Sequence, residues 1–127
     1  MFYKIFLSSF FLFPIIYCQS HLEKGISDYN QRHLGCVEDQ AKLEPISSAI
    51  GHFEKALDKK EDKNEASLYL LKSYYFKSKF VVKDKKVKKD LLKKGKDLGL
   101  MLVEKFPNSV EYRYWSLVNL GSWAEEY

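Results

Sequence analysis

Apolar residues recur at intervals of three and four along most of this chain, which is the period of an amphipathic helix. No stretch alternates apolar and polar residues over the length of a strand, and only 3 prolines and 6 glycines interrupt the 127 residues. The pattern predicts helices at 28–43, 45–59, 64–80, 87–105 and 109–127. It therefore predicts an all-α fold.

The predicted helices differ in how their apolar residues are distributed. The second carries one stripe, formed by Ile46, Ala49, Ile50, Phe53, Ala56 and Leu57. The third is apolar around much of its circumference, which places it near the centre. The fourth presents Val87, Leu91, Leu98, Leu102 and Phe106. Gly95 and Gly99 share that side, and because glycine costs about 1 kcal/mol against alanine inside a helix, they predict a close approach by a neighbouring helix.

The residues at the predicted helix ends are typical of helix caps. Pro45 suits the first turn of the second helix. Asp62, three residues before Glu65, predicts a cap for the third helix, and Asn108, three residues before Glu111, predicts one for the fifth.

Residues 1–20 have the plan of a secretory signal peptide. Lys4 gives a short positive region, an apolar run follows to Tyr17, and small residues precede a cut between Ser20 and His21. The run is too short to span a bilayer of about 30 Å. An uncleaved anchor and lipid attachment at Cys18 are the alternatives, and the bulky Tyr17 disfavours the second. We expect export to the periplasm or cell envelope.

The expected mature domain, 21–127, is long enough for one small domain with a modest core. Without Lys4 it keeps 20 Lys+Arg against 17 Asp+Glu, a net charge of about +3. This modest charge and the expected export disfavour nucleic acid as a partner. Its single cysteine, Cys36, allows no internal disulfide, so helix packing must hold the domain together.

An internal repeat joins these helices. Ala49, Phe53 and Ala56 have the small, large, small order of the second helix of a tetratricopeptide repeat, and Leu70 and Tyr74 fit the first helix of the next. Gly95, Gly99, Leu102 and Pro107 fit the end of that next repeat. The interval from Ala49 to Gly95 is 46 residues, longer than the usual 34, and we assign the excess to the lysine-rich loop after Phe80. The chain resembles a short tetratricopeptide-like solenoid of antiparallel helix pairs, with an unrelated helical bundle as the alternative.

The last helix supports a narrower resemblance. Segment 107–126 carries Tyr112, Tyr114, Trp115, Asn119, Gly121 and Trp123. It is similar to the aromatic helix of the T-component of TRAP (tripartite ATP-independent periplasmic) transporters, and the resemblance extends over about 45–127. It implies an exported accessory subunit that works beside a periplasmic solute-binding protein. Since a solenoid needs about three repeats and a polar cap, a chain stopping at Tyr127 within a helix is expected to be a fragment.

No pattern in the sequence indicates catalysis or a metal site. Glycine-rich phosphate loops, Gly-x-Ser-x-Gly and His-Glu-x-x-His are all missing from the sequence, so an enzyme is not expected. His33 and Cys36 are three apart, but two such ligands do not make a zinc site, which uses four. His52 is predicted to face solvent. No cofactor is expected.

Two surfaces are candidates for binding. Trp115, Asn119 and Trp123 are spaced four apart on the last helix, so with Tyr112 they predict a ligand or partner groove. Their alternative role is a core in which Asn119 bonds to a neighbouring helix. The second surface is basic, with Lys88, Lys89, Lys93 and Lys94 on the fourth helix. It favours either contact with an anionic membrane surface or simple solvation.

The sequence thus predicts an exported helical-repeat protein that binds or scaffolds a protein partner. The alternative function is a structural envelope protein that rests on an anionic membrane through its basic helix.

Overall fold

A computed structural model describes residues 18–126. The predicted signal peptide lies almost wholly outside the described residues, as does Tyr127. Five α-helices follow one another: α1 His21–Asn30, α2 Ile46–Asp58, α3 Lys63–Phe80, α4 Lys85–Lys105 and α5 Val110–Glu125. The prediction of an all-α fold is confirmed.

The helices form a curved array of adjacent pairs. Each helix packs against the next in the sequence, and the short connections at 59–62, 81–84 and 106–109 make these neighbours antiparallel. Helix α3 also contacts α1 and α5, whereas α2 and α4 do not contact each other within the described chain. Because the odd helices lie closer together than the even ones, the array curves towards the odd helices. This is the arrangement expected of stacked helix pairs.

Helix α3 occupies the centre, as its apolar circumference predicts. It packs against all four other helices. On one side the main core combines α2 and α3 through fully or nearly fully buried residues: Ile46, Ala49, Phe53, Leu70 and Tyr74. On the other side a smaller core joins α3 to α4 and α5 through Leu71, Leu102 and Tyr112. The apolar stripe predicted for α2 faces the first of these cores.

Two glycines allow α5 to lie directly against α4. A Cβ atom on Gly99 would stand 2.9 Å from the Cα of Ser116, and one on Gly95 would collide with the side-chain oxygen of Asn119. The close approach predicted from these glycines is therefore confirmed. It also fixes which side of α5 points inward.

The prediction for the first helix is wrong. Helix α1 begins at His21, and residues 31–45 form turns with an isolated bridge between Val37 and Gln40. Gly35 adopts a φ of 71°, which ends any helical path there. The Gln40 side chain donates to the carbonyl oxygens of Phe80 and Val81, so this loop is tied to the end of α3.

The start of α1 has a cap that the sequence analysis missed. The Ser20 hydroxyl accepts a hydrogen bond from the backbone amide of Glu23, and the Glu23 carboxylate accepts one from the backbone amide of Ser20. This reciprocal arrangement is a capping box. It went unnoticed because Ser20 was assigned to the signal peptide, and a cut after Ser20 would remove half of it.

Three smaller predictions also need correction. The extra residues between Ala49 and Gly95 do not form a long loop, because only residues 81–84 separate α3 from α4. They lengthen α3 and α4 instead. Ser109, not Asn108, caps α5 by accepting the amide of Tyr112. Val87 is exposed, and the fully buried residue near the start of α4 is Leu92. The cap predicted at Asp62 is confirmed by its bond to the amide of Glu65.

Candidate functional site

A cleft of about 630 Å³ lies between the first turns of α3 and α5, on the inner side of the array. Leu68, Tyr69 and Lys72 reach it from one face of α3, because residues three and four apart share a face of a helix. Phe106 and Tyr112 reach it from the opposite wall. The cleft is therefore walled by two helices that are not adjacent in the chain.

A hydrogen bond and a ring contact hold the two walls of the cleft in position near the first turns of α3 and α5. The Tyr112 hydroxyl donates to the backbone carbonyl of Asn64 at 2.9 Å, which links α5 to the first turn of α3. The Phe106 and Tyr112 rings pack with their centroids 5.5 Å apart. Asp62 caps α3 and Ser109 caps α5, so the helix end on each side of the cleft is held by its own cap bond.

Carboxylates surround the mouth of this cleft. Asp62, Glu65 and Glu111 line it, and Lys72 supplies the one positive charge among the lining residues. Burial raises the pKa of Tyr112, and the negative charges of Asp62 and Glu111 raise it further. The charged side chains that line the cleft, three carboxylates and one ammonium, thus have a net negative charge, which favours a cationic guest.

The aromatic surface beside the cleft already holds one cation of the protein itself. The Lys72 ammonium lies 5.0 Å from the centre of the Tyr69 ring and 5.9 Å from that of Trp115. A cation over an aromatic face is attracted by the ring's electron density, with a strength of about 0.5–2 kcal/mol. These rings therefore present a surface on which ammonium and guanidinium groups are favoured.

The four residues of the predicted groove do not lie together. Tyr112 lines the cleft, and Trp115 stands one turn further along α5 beside Tyr75 and Lys72. Trp123 is at the far end of α5, where the Lys96 ammonium lies 4.1 Å from its ring centre. Of these four residues, only Tyr112 lines the cleft.

Asn119 is not at an accessible groove, so that part of the prediction needs correction. Its side chain is 0 % exposed and donates to the carbonyl oxygens of Leu71 and Trp115. The bare backbone of Gly95 makes room for this amide between α4 and α5. Asn119 has the structural role that was left as the alternative, namely a bond to a neighbouring helix.

The predicted basic surface is partly neutralised by acidic neighbours. Lys88 pairs with Glu126 at the end of α5, and Lys93 pairs with Asp97 one turn along α4. Lys88 and Lys89 are half-buried, while Lys94 is exposed. The four lysines thus do not form one uniformly exposed basic surface.

His52 is placed differently from the prediction. His52 does not stand alone: its ring faces that of His21, with 3.2 Å between the two Nδ1 atoms. The His33 ring packs edge-on against Phe76, 5.0 Å between centroids, near the half-buried Cys36. Within residues 18–126 no group of three or more His, Cys, Asp or Glu side chains is arranged to hold a metal ion.

Sequence reasoning missed the α3 wall of the cleft. Glu65, Tyr69 and Lys72 recur at intervals of four and three, a signal that was present. It was masked because α3 is apolar around most of its circumference, so its polar and aromatic positions did not stand out as a face.

No protein-family model, no curated protein and no solved structure matches this chain. In the part of the chain that the structure covers, no helix is both long enough and apolar enough to cross a membrane.

Proposed function

We propose that this protein is a helical-repeat binding or scaffold protein that holds a segment of a protein partner in the cleft between α3 and α5. The observation that carries the proposal is the cleft itself, with its aromatic walls and its rim of carboxylates. Concave sites with apolar walls and a few directed polar groups are the usual form of binding pockets. Binding, not catalysis, is the proposed activity.

The occupant is a basic, extended segment of the partner. Asp62, Glu65 and Glu111 would attract its lysine or arginine side chains to the mouth. Tyr69, Phe106 and Tyr112 line the cleft with rings against which the aliphatic stems of those side chains can pack. Nucleic acid does not suit this site, because its phosphates would meet the carboxylates.

The proposed cellular setting rests on the sequence. The predicted signal peptide and the likeness of 107–126 to the T-component helix support an exported accessory subunit of a solute-uptake system. Its partner would then be an exported solute-binding protein in the periplasm or cell envelope. Tyr112, which belongs to that aromatic helix, lines the cleft.

The test compares two pairs of glutamates. A fluorescent decapeptide rich in lysine and arginine serves as the probe, and its dissociation constant is measured by anisotropy at low salt. Glu65→Gln with Glu111→Gln is expected to weaken binding about tenfold, which corresponds to about 1.4 kcal/mol. Glu104→Gln with Glu125→Gln changes the net charge equally at exposed positions outside the cleft and is the matched control.

The outcomes separate the proposal from its alternatives. Equal weakening by both pairs would reduce the binding to net charge and overturn the cleft as the site. Absence of any binding would overturn it as well. Sedimentation with anionic vesicles, abolished when Lys88, Lys89, Lys93 and Lys94 become glutamine, would instead favour the structural envelope protein at a membrane surface.

A further inference from the structure

The charges that line the cleft between α3 and α5 are separated along its length. Glu65 stands in the first turn of α3 and Glu111 in the first turn of α5, whereas Lys72 lies two turns further along α3. Seven residues of an α-helix rise by about 10.5 Å. Because α3 and α5 are both antiparallel to α4, they run in the same direction. Both glutamates therefore lie at one end of the cleft, and Lys72 lies towards the other.

These charges do not neutralise one another within the protein. Among the described residues, no ion pair includes Glu65, Lys72 or Glu111. The α3 positions three and four residues from Lys72, from which an acidic side chain could reach it, hold only leucine, tyrosine and phenylalanine. The Lys72 ammonium lies instead 5.0 Å from the ring centre of Tyr69 and 5.9 Å from that of Trp115. Both ends of the cleft thus keep a charge that a guest can meet.

We propose that Lys72 makes the cleft selective for a segment that carries one acidic residue as well as its basic ones. The inference rests on the proposed function, which brings the basic residues to Glu65 and Glu111. The acidic side chain then meets the Lys72 ammonium at the other end. An extended chain advances about 3.3 Å per residue, so a distance of about 10.5 Å corresponds to about three residues. The guest is an extended segment in which a basic and an acidic residue are three apart.

The position of Lys72 suits a residue that sets specificity. Its side chain is half-buried, and the contact with the Tyr69 ring holds the ammonium beside the cleft. A charge that is partly removed from water interacts more strongly with a second charge than a fully solvated one does. Lys72 therefore attracts a carboxylate at its end of the cleft and repels a lysine or arginine there. Attraction of one side chain and repulsion of another together give selectivity.

Three fluorescent decapeptides of glycine and serine test this selectivity. Each carries a pair of lysines and, three residues further along, aspartate, asparagine or lysine, and each is also made in the reverse order. For one of the two orders, anisotropy at low salt is expected to show that the parent binds the aspartate peptide about fivefold more tightly than the asparagine peptide, and the lysine peptide least tightly. In Lys72→Gln the advantage of aspartate should disappear. The lysine peptide should bind this variant more tightly than it binds the parent.

Two further variants separate the position of the Lys72 charge from a change of net charge. Lys79→Gln removes one positive charge from an exposed position of α3 outside the cleft, so it should leave the order of the three peptides unchanged. Lys72→Arg keeps the charge and should keep the preference for aspartate. Melting curves identify any variant that no longer folds, and Lys72→Met replaces Lys72→Gln if that variant is one of them.

Failure of this inference is distinguishable from failure of the proposed function. If the peptides bind through Glu65 and Glu111 but aspartate and asparagine peptides bind equally, the role of Lys72 is overturned and the cleft remains the binding site. A preference for aspartate that persists in Lys72→Gln overturns that role as well. If no peptide binds, or if Glu65→Gln with Glu111→Gln changes nothing, the proposed function is overturned and this inference with it.

Discussion

The side-chain amide of Asn119 donates to the backbone carbonyl of Leu71 at 3.1 Å, which ties α5 to the central helix. The same amide donates to the carbonyl of Trp115 one turn earlier. Because the side chain is fully enclosed, no water can replace these bonds. The inner position of α5, and with it one wall of the cleft, thus depends on a polar contact within the smaller core.

Asn119→Leu should destabilise the protein by about 1–3 kcal/mol, because it removes the buried bonds and sets a branched side chain against Gly95. Chemical denaturation gives the free energy of unfolding. Asn30→Leu is the control, since Asn30 is exposed at the end of α1 and does not line the cleft. If Asn119→Leu unfolds like the parent but binds the basic peptide more weakly, Asn119 belongs to a binding site and the structural role is wrong.

Two helical glycines should respond to alanine in opposite directions. At Gly99 a Cβ would press on the Ser116 backbone, so Gly99→Ala is expected to cost about 1–3 kcal/mol. At Gly121 a Cβ meets nothing within 4 Å, so Gly121→Ala should stabilise α5 by up to about 1 kcal/mol. Thermal unfolding measures both. Equal effects of the two substitutions would mean that α4 and α5 are not in close contact.

The helix pattern was predictable because burial imposes it on the sequence. The stripe of α2 and the glycines of α4 record contacts with neighbouring helices, and the structure confirms both. The start of α1 was missed, since the capping box of Ser20 and Glu23 overlaps the small residues of an expected cleavage site. The same short sequence can indicate a helix cap or a cleavage site, and the structure is needed to identify the helix cap.

The candidate site was harder to predict because it joins distant segments. Tyr112 was identified, but its partners Glu65 and Tyr69 lie more than forty residues earlier on α3. Spacing along one helix revealed that Trp115, Asn119 and Trp123 share a face, yet it carries no information about what that face meets. His21 and His52 likewise come together only through the packing of α1 on α2.

The contact between Glu61 and the start of α1 should make stability depend on acid pH. The Leu22 amide donates to the Glu61 carboxylate at 2.8 Å, and this bond, with a further one from the His21 amide, lowers the pKa of Glu61. A carboxyl group whose pKa is lower in the folded state stabilises the fold fully above its ordinary pKa of about 4.3. That contribution is lost as the pH falls through the lower, folded-state pKa.

The parent should therefore have a higher Tm than Glu61→Gln at pH 6–7, and the difference should shrink to nothing under strongly acidic conditions, where both side chains are neutral. Melting curves across this range, at constant ionic strength, provide the measurement. Glu104→Gln, at an exposed position on α4, should show no such convergence. His21 and Lys59 also interact with the Glu61 carboxylate, so the series is repeated with His21→Gln to remove the titration of the imidazole. A Tm difference that stays constant down to low pH in both backgrounds would mean that the Glu61 charge does not hold α1 in place.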